Sequence, residues 1–310
     1  MNDKAAPVLE LANLSKTYGR RGGGVRAVTG VSLTVHAGEV YGFLGPNGAG
    51  KSTTIRMLLG LIAPSAGTVR LFGEDPRRDP SALRRVGSLV DGGAFYPFLS
   101  GRRNLEVLAR THGLRDSADR IEALLDQVGL ARDAKRKVKG YSTGMRQRLG
   151  VAAALLADPD LVILDEPVNG LDAAGIQEMR GLIRGLADDH GKTVFLSSHL
   201  LHEVQQVCDR VAIISRGEIV RESSITDLLS HEDGLRVEAS PLDVAAAALH
   251  DRWPVERNGQ ALIVGATRAE TPEVARRLIG AGADLYGIAP QQRNLEEVFL
   301  AITQTETVDA

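Results

Sequence analysis

Gly45, Gly50, Lys51 and Ser52 stand in "GPNGAGKS" at the spacing G-x-x-x-x-G-K-[ST], a pattern suited to holding phosphate. Glycines let backbone N–H groups face phosphate oxygens, the lysine reaches the β and γ oxygens, and the serine hydroxyl ligates Mg²⁺. Asn47, Gly48, Ala49 and Thr53 complete the loop expected to surround the phosphates of ATP. A second stretch, "LVILDEP", reads as a buried strand that carries Asp165 to its carboxyl end, where an acid can hold the Mg²⁺ shell. Glu166 follows directly, and a carboxylate there can polarise a water for in-line attack on the γ-phosphate. Taken alone, the first motif could be a glycine turn that binds nothing and the second a charged strand end. Their joint presence favours the nucleotide reading.

These residues need a scaffold, and the hydrophobic pattern supplies one. "VLELANLSKTYG" and "VSLTVHAGEVYGFLG" alternate apolar with polar residues and read as β-strands, the second ending in the glycine loop. "TTIRMLLGLI" has helical spacing after the loop, and Pro64 and Gly67 stop it. From about residue 91 to 156 the pattern is helical throughout, which implies an all-helical insertion. Short apolar runs, "LVILDEP", "TVFLSSH" and "RVAIISRGEIV", then restore a parallel-sheet pattern. The expected fold is an α/β P-loop NTPase core with that insertion.

After "LLSHEDG" the pattern restarts as β, α, β, β, α, β, α, the last element being "NLEEVFLAIT". That order suits a small split βαβ-like α+β domain. The break near Gly234 divides the chain into a nucleotide-binding domain over 1–232 and an accessory domain over 233–310.

Composition narrows the function. A net charge of -2 gives no overall basic footprint for nucleic acid, and Cys208, the single cysteine, allows neither an intrachain disulfide nor a cysteine zinc site. The apolar runs are broken by acids and prolines short of a membrane span, so work at a membrane requires another chain to cross it. A reducing, cytoplasmic location fits this pattern.

A third motif, "YSTGMRQRLGVAAALL", lies just upstream of "LVILDEP", and with it the chain resembles the nucleotide-binding subunit of ATP-binding cassette (ABC) transporters. Ser142 and Gly144 match the family's signature at a helix start, while Thr143 and Met145 depart from its usual second glycine and its glutamine. The resemblance implies that Ser142, Thr143 and Gly144, with Asp172 of "NGLD", meet the ATP held by an opposite subunit in a head-to-tail dimer. It also implies that Tyr18 stacks on adenine and that His199 senses the γ-phosphate. A helix start suits a phosphate on physical grounds as well.

Asp91 occupies the position where the family normally has a glutamine that touches Mg²⁺ and the attacking water. An aspartate can ligate a hard cation directly or through water, so Asp91 is expected to remain a catalytic and metal contact beside Ser52 and Asp165. A carboxylate here also occurs in some antimicrobial-peptide exporters of the family. The tail from Leu235 is similar to the C-terminal domain of many drug-exporter ATPases.

The resemblance therefore implies an ATPase, dependent on ATP and Mg²⁺, that powers export through separate membrane-spanning permease subunits at the cytoplasmic face of the cell membrane. The second cassette is a further copy or a paralogue. "GGAFYPFLSGRRNL" is expected to help form the groove for the permease. A soluble ABC-type ATPase acting on ribosomes or DNA, and an ATP sensor that does not turn over, remain as alternatives.

Overall fold

The computed structural model describes residues 7–19, 24–90, 92–229 and 234–291. The chain divides into two compact units, Met1–Ser224 and Ile225–Ala310.

The first unit begins with β1 (Pro7–Tyr18) and β2 (Val25–His36), which pair antiparallel, followed by β3 (Val40–Leu44), α1 (Lys51–Leu58), β4 (Ala66–Leu71) and β5 (Val86–Leu89). Three helices come next: α2 (Gly101–Thr111), α3 (Ala118–Gln127) and α4 (Thr143–Ala154). The unit ends with β6 (Leu161–Asp165), α5 (Ala173–Asp188), β7 (Thr193–Ser198), α6 (Leu201–Gln205), β8 (Arg210–Ser215) and β9 (Glu218–Ser224).

Two sheets result, a three-stranded one ordered β2-β1-β4 and a six-stranded one ordered β5-β6-β7-β3-β8-β9. The larger sheet is parallel except where β9 turns back on β8. Every residue of β3, β6 and β7 is buried, as expected of parallel strands covered on both faces. Between the two sheets lies a core that includes Leu9, Leu33, Phe43, Ile55, Leu71 and Phe195.

The stretch read from sequence as one strand leading into the glycine loop is two strands in different sheets. Gly38 breaks it, with φ at 80° and its N–H donated to Thr193 Oγ1. The left-handed turn at this glycine ends one sheet and starts the other. Within the helical region, the chain between α3 and α4 makes two short 3₁₀ turns, Ala131–Asp133 and Val138–Gly140, and the segment before α2 is a turn rather than a helix. The two segments meet at a bridge between Ser100 and Lys137.

The second unit contains α7 (Ile225–Leu229), β10 (Leu235–Ser240), α8 (Leu242–Leu249), β11 (Val255–Asn258), β12 (Ala261–Val264), α9 (Thr271–Gly280) and β13 (Asp284–Pro290). Its strands form an antiparallel sheet ordered β11-β12-β10-β13. Alternation along β10 buries Leu235, Val237 and Ala239 in a core shared with Leu249, Trp253, Leu262, Val274 and Leu278. The β, α, β, β, α, β order matches the sequence expectation. "NLEEVFLAIT" lies outside the described residues.

Candidate nucleotide site

Strand β3 delivers the chain to Gly45 with no room for a side chain: a Cβ there would lie 2.3 Å from the Ile214 carbonyl oxygen. Gly50, at φ 108°, has the Ala27 carbonyl 2.4 Å from where a Cβ would sit. Close approach and a left-handed turn thus require glycine at both ends of the loop. Gly45 N–H donates to the Ser198 carbonyl at 3.3 Å and Gly217 N–H to the Ala49 carbonyl at 3.1 Å, which ties the loop to β7 and to the β8–β9 turn. Pro46, Asn47 and Gly48 form its exposed tip. Helix α1 starts at Lys51, so the first-turn N–H groups of Lys51, Ser52 and Thr53 point out of the helix end.

Lys51 is 6% exposed and fully engaged. Its ammonium donates to the Gly45 carbonyl at 2.7 Å and the Pro46 carbonyl at 3.3 Å, and it pairs with Glu166 Oε1 at 3.1 Å. Glu166 Oε2 in turn meets His199 Nδ1 at 2.7 Å. A carboxylate only accepts, so Nδ1 carries the proton in this contact. Lys51, Glu166 and His199 form a continuous line from the phosphate loop to the end of β7.

Asp165 and Glu166 are held by a residue that sequence reasoning missed. Ser197 Oγ donates to Asp165 Oδ1 at 2.5 Å and accepts the Glu166 N–H at 3.0 Å, using both capacities of one hydroxyl. Glu166 is also one of the few non-glycine residues at positive φ, 51°. Such a conformation persists where surrounding bonds over-determine it, and the Ser197 hydroxyl and carbonyl both take its N–H. The only signal for Ser197 in the sequence is its place on a buried strand just before His199.

A Mg²⁺ ion suits these donors. The Ser52 hydroxyl is half-buried at the start of α1 and Asp165 is 8% exposed at the end of β6, both hard oxygen ligands. No group of three or more histidine, cysteine or acidic side chains forms a metal cage among the described residues. A magnesium ion shared with nucleotide phosphates needs no such cage. Asp91, expected to join this set, lies outside the described residues.

Tyr18 ends β1 half-exposed, with the Lys16 ammonium 5.1 Å from its ring centre. It pairs in register with Val25, a short way along β2 from the Ala27 carbonyl that packs on Gly50. The ring therefore lies on the strand pair that walls the phosphate loop.

The remaining expected residues gather in a second place. Ser142 caps α4 by accepting the Met145 N–H at 3.2 Å, and Asp172 caps α5 by accepting the Gly175 N–H at 2.9 Å. The two helix starts converge on a cavity of about 440 Å³ lined by Ser142, Thr143, Gly144, Leu171, Asp172 and Gly175. Thr143, which stands where the family's usual second glycine would be, lies beside Gly170: a Cβ added to that glycine would meet the Thr143 methyl at 3.5 Å. None of Gly45 to Thr53 lines this cavity. The expected residues thus gather in two separate places.

A phosphate loop closing on an acid pair, Asp165 buried and Glu166 half-buried, with a capped signature helix between them in the chain, defines a P-loop ATPase of the cassette type. A family model described as ABC transporter matches residues 28–169. The chain is 36% identical to the bacitracin transport ATP-binding protein BcrA of Bacillus licheniformis, over 97% of this chain and 99% of that one. It is also 36% identical to the daunorubicin/doxorubicin resistance ATP-binding protein DrrA of Streptomyces peucetius, over 98% and 94%. Its fold is similar to that of the cassette MJ0796 in a dimeric post-hydrolysis state bound to ADP and Pi, with a TM-score of 0.64 and 25% identity over 70% of this chain and 98% of that one. The chain belongs to the ABC transporter family as an ATP-binding subunit, and it is an ATPase. Relatives that span nearly all of its length are named as transport or ABC transporter ATP-binding proteins, which disfavours the ribosome or DNA reading.

Proposed function

We propose that this chain powers export of a drug or antimicrobial peptide by closing on ATP with a second nucleotide-binding subunit, another copy or a paralogue, against separate membrane-spanning permease subunits. The Lys51–Glu166–His199 line beside the phosphate loop supports the reading, because a cation, a carboxylate and an imidazole in mutual contact there suit a γ-phosphate and its attacking water. Residues 1–232 form the ATP-hydrolysing part and 233–310 an accessory part in this proposal.

Lys51 leaves Glu166 to bind the β and γ oxygens, and the loop from Gly45 to Thr53 offers its N–H groups to the phosphates. Tyr18 stacks on adenine. Ser52, Asp165 and Asp91 would hold Mg²⁺, which supplies charge neutralisation between the β- and γ-phosphates when bound. Glu166, freed from Lys51 and still oriented by His199, accepts a proton from the attacking water. Ser142, Thr143, Gly144 and Asp172 of one subunit cap the γ-phosphate held by the other.

The groove lined by Leu61, Leu83, Phe95, His112 and Ala153 receives a permease segment, which holds the chain at the cytoplasmic face of the cell membrane. No helix among the described residues is long and apolar enough to cross a membrane itself. Export is supported by relatives named for bacitracin transport and daunorubicin/doxorubicin resistance. The test is to purify the tagged chain from its host's solubilised membranes: a co-purifying multi-span protein supports the proposal, whereas soluble recovery with ribosomes or chromosome defeats it.

A further inference from the structure

We propose that Lys16 is a positioning residue for the base of ATP: it holds the Tyr18 ring from one face and leaves the other face ready for adenine. The Lys16 ammonium lies 5.1 Å from the centre of that ring and donates to the Ala63 carbonyl at 2.7 Å. A surface lysine ordinarily keeps its ammonium in water at the end of a flexible stem. Here the carbonyl and the ring together fix it, and Lys16 is half-buried while Tyr18 stays 41% exposed.

The placement follows from the strand. Residues 16 and 18 stand two apart on β1, on the same side of the strand, which is how the ammonium reaches the ring. β1 pairs with β4 only as far as Ser15, which stands opposite Ala66. Beyond it, segment 63–65 becomes the neighbour of β1. Ser65 N–H donates to the Ser15 carbonyl at 2.7 Å, Thr17 N–H donates to the Ser65 hydroxyl at 3.0 Å, and the Lys16 ammonium reaches Ala63 between them. Segment 63–65 follows the end of α1, the helix whose other end carries Lys51 and Ser52 of the phosphate loop. The three bonds tie the strand that presents the ring to the helix that presents the phosphate site.

What the ammonium adds is order before the nucleotide arrives. A half-exposed tyrosine at a strand end turns freely and loses that freedom when a base stacks on it. A cation held over one face gives the ring a favoured setting, so less freedom remains to be lost. It also occupies that face, and a base has only the opposite one to stack on. The proposal rests on the reading that Tyr18 stacks on adenine, and the experiment separates the two.

The purified full chain is titrated calorimetrically, with magnesium present, against ATP and against inorganic triphosphate, which has no base. Tyr18→Ala is expected to weaken ATP binding about fivefold or more and to leave triphosphate binding unchanged. Lys16→Met keeps the stem and removes the charge: ATP binding should weaken about two- to fivefold, with triphosphate binding again unchanged. Lys16→Arg retains a cation for the ring and the carbonyl and should bind ATP as the wild type does. In the Tyr18→Ala background, Lys16→Met should cost nothing further, because no ring is left to hold.

Unchanged ATP affinity in Lys16→Met beside a loss in Tyr18→Ala overturns the proposal and leaves the stacking reading standing. Unchanged ATP affinity in Tyr18→Ala defeats the stacking reading and the proposal with it. Equal loss of ATP and triphosphate binding in Lys16→Met, or a full loss from it in the Tyr18→Ala background, also overturns the proposal. Lys16 would then serve the fold or the phosphates and not the ring.

Discussion

The phosphate loop and the signature cavity lie in the same unit yet are built in opposite ways. Around the loop every charged group has a partner: Lys51 holds Glu166, Glu166 holds His199, and Ser197 holds Asp165. At the cavity the side chains cap their own helices, and the space in front of Ser142 and Asp172 is open. A site closed by internal charge pairs can exchange those pairs for phosphate oxygens. A site made of two capped helix starts can only receive an anion brought to it. Under the proposed function, this difference is why one chain would need a second to finish its chemistry.

Substitutions separate the two regions. The largest effect is expected from Lys51→Ala, which removes the loop's cation and leaves half-buried Glu166 with His199 alone: fluorescent-ATP binding should weaken at least a hundredfold and turnover should vanish. ATP binding close to wild type would show that the loop's N–H groups suffice. Next comes Glu166→Gln, for which phosphate release should fall by about 10² to 10³ while ATP affinity holds. Equal phosphate release from both proteins would favour an ATP sensor instead.

At the other region, Ser142→Glu places an acid where the second subunit's γ-phosphate would arrive. Turnover is expected to fall about tenfold or more with nucleotide affinity of the separate chain unchanged, since no loop residue lines that cavity. A parallel loss of affinity would merge the two regions into one. Ser197→Ala is a smaller change, removing one hydroxyl that serves both acids. Turnover should drop several-fold, with about 1 to 2 kcal/mol lost in urea unfolding.

The smallest effect tests packing rather than chemistry. Burial first, and the neighbouring Asp209 second, push the Cys208 thiol well above its ordinary pKa. It should therefore resist thiol reagents at pH 8 until urea unfolds the chain. Rapid labelling of the folded protein would show that this part of the core opens.

The phosphate loop was legible because its backbone path admits only glycine where β8 and β2 approach, and a glycine requirement leaves a mark in sequence. The position of the acid pair was legible because a buried apolar run marks a strand and Asp165 and Glu166 stand at and just past its carboxyl end. Ser197 was not, since a serine on a buried strand gives no spacing that distinguishes a two-way hydrogen bond from packing. The division of "VSLTVHAGEVYGFLG" into two sheets was missed for a related reason. Alternation continues across Gly38, and only tertiary contacts, such as its bond to Thr193, reveal the turn. Helical periodicity between residues 91 and 156 likewise concealed the bridge between Ser100 and Lys137, because it is too short to set up a period.

The most direct test of the two-region account is the mass of the Glu166→Gln protein in solution, measured by analytical ultracentrifugation with and without ATP. The account predicts that ATP doubles the mass and that adding Ser142→Glu restores the single chain. A chain that binds ATP but stays monomeric at every concentration, or a dimer indifferent to Ser142→Glu, would contradict the claim that one copy's signature cavity completes the other's phosphate site.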